Sequence, residues 1–88
     1  MRIIVNSRKE LMKVIFFICK NVNHNLSPAW LLMDITSKTV ADLPYGEVSE
    51  VEIEYLDDYA EITMTLKDTR FSLLPPVRKQ IKYQIKLD

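Results

Sequence analysis

Glu50-Val51-Glu52-Ile53-Glu54-Tyr55-Leu56-Asp57-Asp58-Tyr59-Ala60-Glu61-Ile62-Thr63-Met64-Thr65-Leu66-Lys67 reads as two strands joined by a tight turn. Val51, Ile53 and Tyr55 alternate with Glu50, Glu52 and Glu54, and Ala60, Ile62, Met64 and Leu66 alternate with Glu61, Thr63, Thr65 and Lys67. A period of two is the mark of a strand with one face in the core. If the turn centres on Asp57-Asp58, partner numbers sum to 115: Tyr55 faces Ala60, Ile53 faces Ile62 and Val51 faces Met64. Every apolar partner then lands on one side, and a slip of one residue would bury a row of glutamates. Asp-Asp lacks the glycine that a two-residue hairpin turn favours, so a four-residue type I loop in the same register is expected.

Outward from this hairpin, Ile81, Tyr83, Ile85 and Leu87 alternate with Gln80, Lys82, Gln84 and Lys86, which predicts a terminal strand. Thr69 to Leu74 reads as a further short strand stopped by Pro75-Pro76, since neither proline can donate to a ladder. On the N-terminal side, Arg2 to Val5 is a short β-like run. Ser7-Arg8-Lys9-Glu10 has the spacing of a capping box, and a helix is expected from about Arg8 to Asn23. At 100° per residue Leu11, Ile15, Ile18 and Val22 form its apolar stripe, widened by Met12, Val14 and Cys19. Phe16 and Phe17 fall on the two flanks, so the helix calls for cover on more than one side, from a second helix or a second copy of the chain. Asn21, Asn23 and Asn25 suit a helix exit through left-handed backbone. Ser27-Pro28 then reads as cap and first residue of a second helix. Its expected buried face is Ala29, Leu32, Met33, Thr36, Val40 and Leu43; the β-branched Ile35, Thr36, Thr39 and Val40 leave open a break near Thr36-Ser37 or a strand through Leu31-Met33-Ile35. Asp42 to Gly46 is a loop.

These elements predict one compact domain over residues 1–88: an α+β fold with two helices packed on one face of a small, mostly antiparallel sheet of three to five strands, in the order β-α-α-β-β-β-β. Composition agrees, with 48% apolar and 27% charged residues in 88 positions. A chain of this size buries roughly 60–65% of its unfolded surface, enough for a thin core. The 12 basic and 12 acidic side chains cancel, which argues against a general electrostatic grip on nucleic acid or membrane. One cysteine rules out an internal disulfide, and one glycine leaves no phosphate-cradling loop. The longest apolar run, Val14 to Cys19, is too short to span a bilayer, and Lys20, Asn21 and Asn23 follow it where a leader would place small residues. A cytoplasmic location is the expectation.

The neutral total hides a partition. Residues 47–61 carry seven acids and no Lys or Arg, whereas residues 67–86 carry Lys67, Arg70, Arg78, Lys79, Lys82 and Lys86 against Asp68 alone. In the register above Glu54 stands opposite Glu61, an unfavourable like-charge pair. If the terminal strand lies beside the first hairpin strand, its lysines neutralise the glutamates as an ordinary solvated ladder. If it pairs elsewhere, the hairpin presents a carboxylate row at ~7 Å spacing to a basic partner.

Reactive side chains are sparse. His24 sits among asparagines at a helix exit, Cys19 lies on the apolar arc, and the two share no helical face, so no nucleophile–base pair is implied. Glu52, Glu54 and Glu61 lack a loop to complete a metal shell. The element order β-α-α-β-β-β, with Arg70, Arg78 and Tyr83 in the last third, resembles the small bacterial toxin ribonucleases of the RelE/ParE type. That resemblance implies an RNA-cleaving site on those three residues, but the family is strongly basic and this chain is not. A winged helix, with Ser27–Asp34 followed by a recognition helix over Thr36–Leu43, would set an acidic wing against phosphate. The reading that follows from the residues is a non-enzymatic protein-interaction module, a small regulator or inhibitor with no catalytic residue, metal or cofactor. Glu50, Glu52, Glu54, Asp57, Asp58 and Glu61 are the expected contact row for a basic protein partner. Phe16, Phe17 and Trp30 are the expected anchors of a homodimer.

Overall fold

The computed structural model describes residues 1–68, 70 and 74–88. The described elements are β1 (Arg2–Ile4), α1 (Arg8–Asn21), α2 (Pro28–Asp42), β2 (Glu47–Tyr55), β3 (Tyr59–Asp68) and β4 (Val77–Lys86). The strands form one antiparallel sheet in the order β1-β2-β3-β4, and both helices cover one of its faces. Of the strand expected over 69–74, positions 69 and 71–73 lie outside the described residues, and Arg70 and Leu74 are in bends.

The hairpin has the expected register, from Glu50↔Thr65 to Tyr55↔Ala60. Leu56 N–H donates to the Tyr59 carbonyl at 2.9 Å, which closes the turn around Asp57-Asp58. No residue there has a positive φ, so the mirror-image hairpin turns are absent and the loop takes the other hand. Below Glu50 the register shifts: Val48 pairs with Leu66, and Ser49 is the extra residue of a β-bulge. The bulge lets Val48 and Val51 both point inward although they are three positions apart, and the Ser49 carbonyl turns outward to accept Val5 N–H at 2.8 Å. β4 pairs with β3, not with β2, from Tyr59↔Lys86 to Asp68↔Val77. The lysine ladder expected beside the β2 glutamates therefore does not form. A short connection favours the sequence neighbour, and β3 comes between.

α1 starts as its sequence dictates. Ser7 Oγ accepts from Glu10 N–H at 3.2 Å, and Glu10 Oε2 reaches back to Asn6 N–H at 2.6 Å. Its exit differs from expectation, because no asparagine adopts left-handed backbone and the cap Val22 is right-handed. The asparagine side chains act instead: Asn21 Nδ2 donates to the Phe17 carbonyl at 3.0 Å and Asn23 Nδ2 to the Lys86 carbonyl at 2.8 Å.

α2 is capped by Ser27 Oγ, which accepts from Trp30 N–H at 3.3 Å, and it opens on Pro28. It runs unbroken past Thr36-Ser37, so no separate recognition helix exists. Thr36 and Thr39 donate their hydroxyl protons to the carbonyls of Leu32 and Ile35, at 2.8 and 2.7 Å, which satisfies both hydroxyls within the helix. The buried face is Leu31, Ile35 and Thr39; of the expected face, Leu43 is buried and Leu32 packs against the core. Ala29, Met33, Thr36 and Val40 of the expected face are exposed. A pin on the other flank fixes this rotation: Asp34 and Lys38 pair at 3.0 Å, and Lys38 Nζ sits 4.3 Å above the Tyr83 ring of β4.

Between helices and sheet lie Ile15, Ile18, Leu31, Ile35, Val51, Ile53, Ile62, Met64 and Leu66, all essentially inaccessible to water. At one end of this core Leu87 N–H donates to the Asp58 carbonyl at 3.1 Å and Asp88 N–H to the Val22 carbonyl at 3.3 Å. His24 holds the Asp88 carboxylate through its backbone N–H and its ring, and the backbone donor is the stronger cause of a lowered Asp88 pKa. At the other end the Asp68 carboxylate takes Arg70 N–H at 3.0 Å and the guanidinium, which stacks 3.7 Å above the Tyr45 ring. Those Arg70 donors hold the Asp68 pKa below the usual carboxylate range.

Candidate protein-interaction surface

The sheet face opposite the helices carries the outward half of each strand's alternation. Across β2, β3 and β4 the aligned rows are Glu50–Thr65–Gln80, Glu52–Thr63–Lys82 and Glu54–Glu61–Gln84. Glu47 and Lys67 pair at the lower edge, where Lys67 also faces Arg78; Tyr59 faces Lys86 at the upper edge. Acids thus collect on β2, threonines occupy the middle of β3, and cations lie on β4. Two strand spacings separate β2 from β4, roughly 10 Å. That is about one Debye length at 0.1 M salt, so the lysines of β4 screen the glutamates only weakly.

Of the six acids expected to form a contact row, Glu50 is half-buried and its Oε1 is paired with Arg2 Nε of β1. Glu52 and Glu54 are exposed, Glu61 is half-buried, and none of the three has an ion-pair partner among the described residues. Asp57 and Asp58 are exposed at the hairpin tip, beyond the end of the row. A shallow depression over the face is lined by Glu52, Glu54, Glu61, Thr63, Gln80 and Lys82. Glu54 and Glu61 stand directly opposite each other. Replacing Glu61 by lysine turns this repulsion into a favourable cross-strand pair. The Glu61→Lys variant is expected to gain up to about 1 kcal/mol in urea denaturation, more at low salt than at high salt. A loss of stability at low salt would show that the two carboxylates are not in conflict.

Of the expected self-association anchors, Phe16 is 54% and Trp30 56% exposed, whereas Phe17 is half-buried and packs on the core. Nor do Arg70, Arg78 and Tyr83 converge as a ribonuclease site would require. Arg78 faces out on the open side of β4, Tyr83 lies beneath α2 on the other side, and Arg70 is held by Asp68. The Tyr83 hydroxyl is buried beside the Asp34 carboxylate. Burial pushes its pKa far up, and Asp34, as an acceptor of the phenol proton and as a negative charge, adds to the rise. Cys19 is buried and its thiol is pushed up by desolvation, which makes it a poor nucleophile.

A cleft of ≈ 330 Å³, which no sequence motif announces, lies between the start of α1, the C-terminal half of α2 and the beginning of β2. Its walls include Leu11, Leu32, Val40 and Val48, with Arg8 and Lys67 among the polar lining. The hydroxyl protons of Thr36 and Thr39 there are already committed to their own helix, and the Ser7 oxygen accepts Glu10 N–H. No group of three or more metal-ligating side chains converges among the described residues, and no helix is long and apolar enough to cross a membrane. No family model, curated protein or solved structure matches the chain.

Proposed function

We propose that this domain is a non-enzymatic protein-interaction module that engages a basic partner surface through the carboxylates of β2 and β3. The observation that carries the reading is the outward group Glu52, Glu54 and Glu61, which lacks ion-pair partners among the described residues: the cations of β4 stand two strand spacings from Glu52 and Glu54, and Glu61 faces Gln84 rather than a cation. A rigid sheet holds these charges at fixed spacing before any partner arrives, so little side-chain and backbone freedom is lost on docking. Opposite charge on the partner accelerates encounter and disfavours acidic competitors. Such a device suits a small regulator or inhibitor that covers a basic groove.

The test is a double reversal, Glu52→Lys with Glu54→Lys, at two exposed positions whose side chains do not enter the core. The far-ultraviolet spectrum should match that of the wild type, and stability should change by no more than about 1 kcal/mol, since Glu54→Lys relieves the repulsion with Glu61 while Glu52→Lys sets a cation opposite Arg2. A basic protein retained from the native host by wild-type protein should bind the variant at least about tenfold more weakly, with a flatter salt dependence. An unchanged set of retained proteins, with unchanged affinities, would end this reading.

A further inference from the structure

β4 is the outer strand of the sheet, ten residues long, and its far edge has no strand beside it among the described residues. The hydrogen bond from Leu87 N–H to the Asp58 carbonyl fixes which backbone groups point where. Odd-numbered residues of β4 bond to β3, so Arg78, Gln80, Lys82 and Gln84 turn both N–H and C=O away from the sheet. The same residues carry their side chains on the open face, opposite Lys67, Thr65, Thr63 and Glu61. Farther along, the Lys86 carbonyl is already taken by Asn23 Nδ2, which ends the free stretch. An edge of about 20 Å remains, enough for five to seven residues of added strand.

We propose that this edge docks an extended acidic segment of a partner protein as a fifth strand. Backbone groups of Arg78 to Gln84 supply the ladder, and charge supplies the selection. In an antiparallel pairing, residues opposite Arg78 and Lys82 have their side chains on the same open face, so a segment acidic at every second position meets both cations. The intervening residues fall on the helix side, beside Val77, which is 52% exposed, and this favours apolar side chains there. A second copy is a poor occupant, because its own β4 brings Arg78, Lys79, Lys82 and Lys86 to an edge that already has them. The docking edge is separate from the glutamates of β2, so it goes beyond the function proposed above and can fail independently of it.

The probe is an acetylated ten-residue peptide of alternating glutamate and valine, read by amide hydrogen exchange on the full chain. The expected result is slowed exchange at Arg78, Gln80, Lys82 and Gln84, which are unprotected without peptide, and binding that weakens with salt. Lys82→Pro removes only an outward N–H, so it should spare the ladder to β3 and weaken peptide binding at least tenfold. Lys82→Glu keeps that N–H and should also weaken binding at least tenfold, which decides the matter if the proline variant fails to fold. The proposal is overturned if these four amides stay unprotected, if a lysine–valine peptide protects them equally, or if folded Lys82 variants bind as wild type does. It is also overturned if single-stranded oligothymidylate binds and displaces the peptide without alternate-residue protection, since the cations would then serve a phosphate backbone.

Discussion

Truncating Ile18 to alanine is expected to cost about 2–5 kcal/mol, the range for deleting buried branched side chains. Ile18 is 0% exposed and sits on the α1 stripe pressed against the sheet. Around it the interior is one layer thick, so no second shell of side chains can slide in to fill the space. A domain of this length has a total stability of roughly 4–13 kcal/mol. The substitution therefore consumes a large share of it and should lower Tm by at least about 10 °C. Ile18→Val should cost only about 0.5–1.5 kcal/mol. Urea denaturation of both variants measures the difference. A cost below about 1 kcal/mol for alanine would mean that α1 is not seated on the sheet as described.

Gly46→Ala is expected to destabilise by about 1–2 kcal/mol, because overpacking outweighs the smaller gain from stiffening the unfolded chain. A Cβ built on Gly46 would lie 2.5 Å from Leu43 Cδ2, 2.8 Å from its Cγ and 3.0 Å from its Cβ. The tip of the leucine could turn aside, but the atoms near its backbone cannot. Leu43 is itself buried and caps α2, and its carbonyl accepts Gly46 N–H at 2.8 Å in the turn that starts β2. Strain at this point acts on helix end and strand start together. Leu43→Ala removes the two closest contacts, at Cδ2 and Cγ, along with the leucine's burial, and leaves only its Cβ at 3.0 Å, so the double variant should lose less than the sum of the singles. A double-mutant cycle with no coupling would show that alanine fits without displacing Leu43.

How much of this was legible depended on whether a pattern had one solution. The β2–β3 register did: the Val-Glu-Ile-Glu alternation allows one pairing that hides every apolar residue and no glutamate. The caps at Ser7 and Ser27 were legible for the same reason, since each hydroxyl has one set of nearby donors. α2 was not, because Trp30, Leu31, Leu32, Met33, Val40 and Leu43 spread apolar surface around most of the helix. Its rotation is chosen by Asp34 and Lys38 resting on Tyr83, a contact between residues about fifty positions apart. The Ser49 bulge had a faint signal in the three-residue step from Val48 to Val51, where strict alternation fails. The neighbour of β4 had none, since its lysines would satisfy glutamates on either strand. The acidic row was therefore readable as a set of residues, while its lack of neutralising partners depended on a strand order that alternation does not encode.

The geometry of β4 separates two kinds of sequence constraint along a single strand. At Ile81, Tyr83 and Ile85 the side chain faces the helix side and the backbone is tied to β3, so the fold restricts what can stand there. At Arg78, Gln80, Lys82 and Gln84 both side chain and amide look away, and substitutions at such positions usually shift stability by less than about 0.5 kcal/mol. Every second residue can therefore drift under selection for what it touches outside the molecule, with hardly any penalty to the architecture. Across diverging versions of this chain, these four sites should vary together with whatever they meet, while their immediate neighbours hold still.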